Sequence, residues 1–424
     1  MVTENGIPVP GKSRSLAIAA LMLVLVADVA YSEEQDIDDP SGEVEDDSAE
    51  IDVDNSIDID VTKKGWLVRA DLRGGYFSRD TDLRDGSDFS DDDFRVRARL
   101  EVDLQLPRNF RYKARVAGLC SSDDCDPEFS LGSTTSNPRS MSNGEITIDE
   151  AFLHHFRPRY DLAIGRLQTK FVARGGVFAK SMDRNDSNNM NVNWTDGLHA
   201  TWKSPLGWTT HLILQHNDSE GSSSIRRGPL DFTDSDSRIS YFVGLENDRP
   251  LGPIVQRELD VSYLPESLLK DGDKQGRIED YWGVVGRFAA RWIVGETRET
   301  SLRLSGELGY APETPTKQAA DIGTSGNTGG LGWTITAALM NFRPGHSIGL
   351  NYGQMGAGWL LSPQYRQNEE LAEVRYVWTY RENKTFEIRA GRRKELNQLL
   401  TAQNRHNDFD LFVRITSKFD LIDR

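Results

Sequence analysis

The chain has 424 residues, a formal net charge of −16 and 37% hydrophobic residues, values ordinarily met in water-soluble proteins of two or three domains. Its one continuous apolar run, LAIAALMLVLVA at 16–27, falls short of the roughly 20 residues that a membrane-spanning helix needs, which excludes a helical membrane protein. Composition leaves open a transmembrane β-barrel, whose lipid-facing residues are diluted one-to-one by polar residues facing the lumen.

From the N-terminus, Lys12 and Arg14 precede the apolar run, and Ala30 and Ser32 follow it. Basic, apolar and small-residue regions in that order read as a secretory signal peptide over 1–32. Residues 33–60 then hold fourteen acids and no base. Residues 1–32 are balanced, with two acids and two bases, so this tract carries −14 of the −16 and leaves −2 for residues 61–424. Self-repelling and free of aromatics, it reads as an acidic disordered segment over 33–64. Its Asp residues alternate with Ile and Val but lack the Gly and closing Glu of a calcium-binding EF-hand loop.

Strict alternation begins at Trp66. In WLVRADLRGGY, Trp66, Val68, Ala70, Leu72 and Tyr76 share one face, opposite Arg69, Asp71 and Arg73. FRVRARLEVDLQL, 94–106, sets Phe94, Val96, Ala98, Leu100, Val102, Leu104 and Leu106 against Arg95, Arg97, Arg99, Glu101, Asp103 and Gln105. Such a strand is about 40 Å long, beyond most soluble strands. FRYKARVAG, from Phe110, opposes Arg111, Lys113 and Arg115 to Tyr112, Ala114 and Val116. Further segments of this kind occupy 145–156, 160–166, 194–203, 208–216, 238–247, 254–264, 281–292, 301–310, 332–340, 346–353, 369–380, 385–393 and 408–419, making sixteen.

The connections alternate too. Long polar stretches such as SRDTDLRDGSDFSDDD follow the odd strands, and short turns such as PRN, RPR, SPLG, RPG and RENK follow the even ones. Long external loops and short periplasmic turns over an even strand count predict an all-β, transmembrane antiparallel β-barrel of about 16 strands over 65–424. Aromatics at the stripe ends, Trp66 and Tyr76, Trp282 and Trp292, Trp378 and Tyr380, fit interface girdles. The apolar face then meets lipid and the charged face meets water. Cys120 and Cys125, in the polar CSSDDC of an exported chain, are expected to form a disulfide.

YDLAIGRLQTKF at 160–171 and LAEVRYVWTYRENKTFEIRAGRR at 371–393 resemble segments of the general and phosphate-selective porins of Gram-negative bacteria. In the first, Gly165, Arg166, Gln168 and Phe171 stand at the strand end that leads into the third loop of those porins. The closing strand, with Leu411, Val413, Ile415 and Phe419 outward, resembles their terminal assembly signal, although DLIDR follows it. The resemblance implies an outer-membrane homotrimer in contact with lipid, its third loop, about 167–193, folded into the lumen. That constriction loop carries Arg174, Lys180, Asp183, Arg184 and Asp186, and Gly175 and Gly176 allow a sharp bend.

On the lumen face of the first three strands stand Arg69, Arg73, Arg95, Arg97, Arg99, Arg111, Lys113 and Arg115, against Asp71, Glu101 and Asp103. This ladder is expected to line the pore and attract anions. The alternative is a wall rigidified by salt bridges to Glu101, Asp103, Asp183 and Asp186. The loop, with three bases against two acids, is mildly basic, which also points to anion passage. His154 and His155, adjacent on a strand, face opposite ways, whereas His199 and His211 meet across neighbouring strands on the lumen face. No GxSxG, phosphate-cradling Gly loop or zinc spacing occurs, so no enzymatic activity, cofactor or metal is expected, and no nucleic-acid partner. The expected function is passive diffusion of small hydrophilic solutes through a water-filled, anion-preferring channel. The alternatives are a channel specific for phosphate or another anion, and a non-channel surface β-protein. Deleting 33–60 is expected to leave barrel assembly intact, read as unchanged heat-modifiable migration on a gel.

Overall fold

A strand with one apolar and one charged face needs a different environment on each side, and the alternating segments form one closed sheet. The structure, a computed structural model, describes residues 65–132, 144–186, 192–217, 228–232, 238–295 and 300–423. The expected signal peptide and acidic segment lie outside the described residues. The first strands are β1 (Trp66–Asp82), β2 (Asp88–Leu106), β3 (Phe110–Ser121), β4 (Glu128–Phe129), β5 (Glu145–Arg157) and β6 (Tyr160–Leu167). Next come β7 (Thr195–Lys203), β8 (Trp208–His216), β9 (Ile239–Asn247), β10 (Ile254–Leu269), β11 (Ile278–Ile293) and β12 (Ser301–Tyr310). The last are β13 (Leu331–Arg343), β14 (His346–Met355), β15 (Glu369–Arg381), β16 (Lys384–Glu395) and β17 (Asn407–Asp423).

Each barrel strand pairs antiparallel with its neighbour, β3 with β5, and β17 closes on β1. The two-residue β4 runs parallel beside Glu145 and Ile146 and stands outside the barrel, which therefore has sixteen strands, as the alternation predicts.

Burial is inverted relative to a soluble core. Leu350 is 63% exposed while its neighbour Asn351 is 3% exposed, and the same exchange separates Leu308 from Glu307 and Phe288 from Arg287. Apolar side chains outside and charged ones inside are stable only where the outside is hydrocarbon. There every backbone group must be paired, as the closed ladder ensures.

Three boundaries differ from expectation. The stretch 78–93 is not a long loop: β1 and β2 stay paired out to Asp82 opposite Asp88, leaving only 83–87 as the turn. Beyond the apolar slab a strand needs no greasy stripe, and the ladder continues on polar pairs such as Ser90 Oγ donating to Asp80 at 2.7 Å. β10 likewise continues past Pro265 through a register shift between Leu264 and Leu268. At the C-terminus, DLID does not trail off, because Ile422 and Asp423 pair with Val68 and Leu67 in the closing ladder.

The outward face fixes one energetic expectation. Leu350→Arg drives a charge into lipid and costs about 2–4 kcal/mol near the bilayer midplane. Urea unfolding in lipid vesicles is the measurement.

Candidate channel lumen

β6 ends at Leu167 and the chain does not return to the wall until Thr195, so 168–194 is the loop that can enter the lumen. Its described part does so. Gly175 lies so close to β12 that an added Cβ would stand 2.4 Å from Ser305 Oγ, and Gly176, at φ +85°, would put one 2.5 Å from Met340 Sδ. Gln256 of β10 accepts from the Arg174 N–H at 2.8 Å and donates to the Val172 carbonyl at 3.0 Å. Farther round, Lys180 pairs with Glu373 at 2.7 Å and Arg375 donates to the Val177 carbonyl at 3.1 Å. Burial pulls the Lys180 ammonium down to about 8, against the raising influence of Glu373.

Arg287 of β11 is the main anchor. Its guanidinium, wholly buried, meets Asp183 of the loop at 2.8 Å, Asp260 at 2.8 Å, Glu307 at 2.7 Å, and Glu258. A second segment, 356–368, packs on the loop from the same side. Trp359 Nε1 donates to the Met182 carbonyl at 3.0 Å, and Leu360, Leu361 and Tyr365 bury with Leu264, Tyr281 and Val285. Sequence reasoning missed this segment. Its signal was the apolar GWLL in a run that an ordinary external loop would keep polar.

The expected loop charges are therefore anchors and do not face the aperture. Arg184 donates to Thr169 Oγ1 at 2.8 Å, to Thr195 Oγ1 at 2.7 Å and to Gln215, while Asp186 accepts from Thr169 Oγ1 at 2.6 Å. Arg174 is clamped by Glu246 at 3.3 Å and Asp248 at 2.7 Å. The loop charges therefore lend no support of their own to anion preference.

The loop lies against β10–β15, where lumen-facing residues are buried. On β16, β17, β1, β2 and β3 the lumen face is mixed, with Arg95, Arg111, Arg115, Arg389 and Arg393 partly exposed and Arg97, Arg99, Asp410 and Arg414 buried. On this wall the ladder is present but paired. Arg95 meets Asp93 at 2.8 Å, Arg97 meets Asp71 at 2.8 Å, Arg99 meets Asp149 at 2.9 Å, and Arg111 meets Asp103. Lys113 bridges Glu101 and Glu150, both at 2.9 Å, and Arg115 bridges Asp149 and Glu150 at 2.9 and 3.2 Å. Arg73 donates to Thr416 at 3.1 Å, and Arg69, at the rim, reaches Asp420 at 3.3 Å.

The salt-bridge alternative thus describes the wall, with Glu101 and Asp103 as expected and further partners from β5. Asp183 and Asp186 go elsewhere, and a bulge opposite Arg115 and Val116 turns both Asp149 and Glu150 inward. β16 and β17 extend the ladder with Arg389 and Arg393, both on Asp410, at 2.6 and 3.1 Å. TFEIRAGRR and DFDLFVRI carried these residues on their polar faces.

Most of these pairs share one polarity: the cation faces water and the carboxylate lies behind it. Arg95 is 26% exposed against 4% for Asp93, Arg115 12% against 0% for Asp149, and Arg393 13% against 1% for Asp410. Arg97 and Asp71 are reversed, at 2% and 21%. Outside the wall, the structure joins Cys120 to Cys125, with Cα atoms 4.6 Å apart. His199 and His211 do meet on the lumen face, Nε2 to Nδ1 at 3.1 Å, while His155 turns outward onto Phe110.

No family model and no curated protein matches the chain. Solved structures do. OprB of Pseudomonas putida, in a high-pH structure, is 12% identical over 84% of this chain and 94% of its own, with a TM-score of 0.56. The outer membrane channel DcaP of Acinetobacter baumannii is 11% identical over 84% and 97%, TM-score 0.51. OccK8 (OprE) of Pseudomonas aeruginosa is 11% identical over 84% and 98%, TM-score 0.50.

The fold is that of a sixteen-strand porin barrel. The likeness is one of architecture, and with the greasy exterior and paired backbone it fits the outer membrane of a Gram-negative bacterium. The subfamily expectation, general or phosphate-selective, is carried by the two sequence stretches alone.

Arg287 gives a test of how the loop is held. Arg287→Met leaves four carboxylates buried without their common cation and costs about 3–5 kcal/mol. The loop is expected to become cleavable by added protease, and Asp183→Asn, which removes one of the four charges, to restore part of the resistance.

Proposed function

We propose that the chain forms a water-filled outer-membrane channel for small hydrophilic solutes, prefers anions, and conducts them along the wall of β16, β17, β1, β2 and β3. The carrying observation is the polarity of the ion pairs on that wall. A solute passing within a few ångströms meets guanidinium and ammonium groups first, and the carboxylates that hold them are screened behind low-dielectric protein. Beyond a Debye length, about 8 Å at physiological ionic strength, the pairs cancel, so the preference acts at contact and is moderate.

Arginine suits the task because its fork keeps one edge on the buried carboxylate and leaves donors for a passing oxyanion. The narrower reading, a channel specific for phosphate or another small oxyanion, draws support from the same forks and from the resemblance of 160–171 and 371–393 to porins of that type. That resemblance also supports a homotrimer. A channel, not an enzyme, is the function these residues suit.

Arg95→Gln, Arg111→Gln and Arg393→Gln together test the reading. Each removes a partly exposed cation; Asp410 keeps Arg389, Asp93 and Asp103 lose their paired arginine, and heat-modifiable migration checks that the barrel still folds. The zero-current potential of the reconstituted channel across a salt gradient is expected to shift toward cation preference. An unchanged potential, with channels still open, overturns the anion route, and a folded barrel that gives no conductance overturns the channel.

A further inference from the structure

The geometry points to a divalent transition-metal site on the lumen wall, built from His199, Thr201 and His211 and backed by Glu246. These residues take no part in the anion wall, whose last strand, β3, is separated from β7 by β5 and β6. His211 stands opposite Thr201 in the β7–β8 ladder, and His199 is its diagonal neighbour, so all three side chains emerge on the lumen side in one cluster.

Three donor atoms face one another there. His199 Nε2 lies 3.1 Å from His211 Nδ1, and Thr201 Oγ1 lies 3.4 Å from the first and 3.5 Å from the second. A tetrahedral zinc ion with bonds of roughly 2.0–2.1 Å has ligand-to-ligand edges of about 3.3 Å. The three atoms therefore already form a triangle of the size that one face of the coordination shell requires. Among the described residues no three His, Cys, Asp or Glu side chains are placed to hold a metal ion, so two imidazoles and a hydroxyl make up the protein's share here, and water from the lumen completes the shell.

The far side of His211 is arranged as a metal-binding imidazole needs. Its Nε2 faces Glu246 at 3.6 Å, and Glu246 is itself held by Arg174 of the inserted loop at 3.3 Å. At that distance the carboxylate makes no hydrogen bond, but its charge favours the proton on the nearer ring nitrogen and leaves the other nitrogen's lone pair toward the cluster. With the His211 proton on Nε2, the single proton between the two rings sits on His199 Nε2. Metal binding moves that proton to His199 Nδ1 and changes no net charge on the protein. Phe171, with its ring 5.0 Å from that of His211, covers the pair on one side and limits its freedom. Imidazole donors of this kind suit Zn²⁺, Cu²⁺ and Ni²⁺ over Ca²⁺ or Mg²⁺.

The test is calorimetric titration of ZnCl₂ into the folded, detergent-solubilised barrel. One Zn²⁺ per chain is expected, with a Kd on the order of 10 µM, and no heat from MgCl₂. His199→Ala and His211→Ala each abolish this binding, Thr201→Val weakens it, and Glu246→Gln weakens it about tenfold. His406→Ala, a histidine paired with Asp408 on a different wall, leaves it unchanged. Heat-modifiable migration checks each variant, and His199→Asn replaces any alanine variant that fails to fold. Absence of zinc binding to the folded wild type overturns the site. So does zinc binding that survives loss of either His199 or His211.

Discussion

A backbone amide facing hydrocarbon has no water to bond, and the ladder between β1 and β17 is where this chain meets that requirement. The closure runs from Leu67 opposite Asp423 to Asp82 opposite Asn407, with one register shift near Val68 and Arg69. Without it the sheet would end in two unpaired edges inside the membrane. With it, an inside and an outside exist, and the period-two alternation of every strand acquires a meaning. The residues after Phe419 belong to this closure.

An inside, once defined, is then divided. The loop between β6 and β7 and the segment 356–368 fill the half of the lumen bounded by β10–β15, so charges there are buried and spent on anchoring. The other half keeps its ion pairs, with several of their cations partly exposed. The two sides of the lumen therefore use the same residue types for different purposes. Arg287 is enclosed by carboxylates, whereas Arg95, Arg115 and Arg393 stand in front of theirs.

The strands were legible because an alternation as long as that of 94–106 cannot serve a sheet bathed in one solvent. Their number and order followed from it, as did the meeting of His199 and His211. Two kinds of information were not legible. The length of the first hairpin was hidden because 78–93 lies beyond the slab, where pairing leaves no apolar trace. Ion-pair partners were hidden because they depend on cross-strand register. A single bulge at Asp149 brings a second carboxylate inward, and the count of bases over acids on three strands omitted the fourth strand that balances them. The charges of the loop were legible as residues, but their partners stand on distant strands, Asp183 on Arg287 and Lys180 on Glu373, which spacing along the chain does not reveal.

The Arg287 hub also carries a statement about time. Asp183 precedes its guanidinium partner by 104 positions, and the flanking acids belong to β10 and β12. The loop has no electrostatic seat until three strands from later in the chain stand side by side, and loop closures of this span form late. The loop's electrostatic seat therefore depends on the pairing of β10, β11 and β12, and narrowing of the passage is coupled to that pairing.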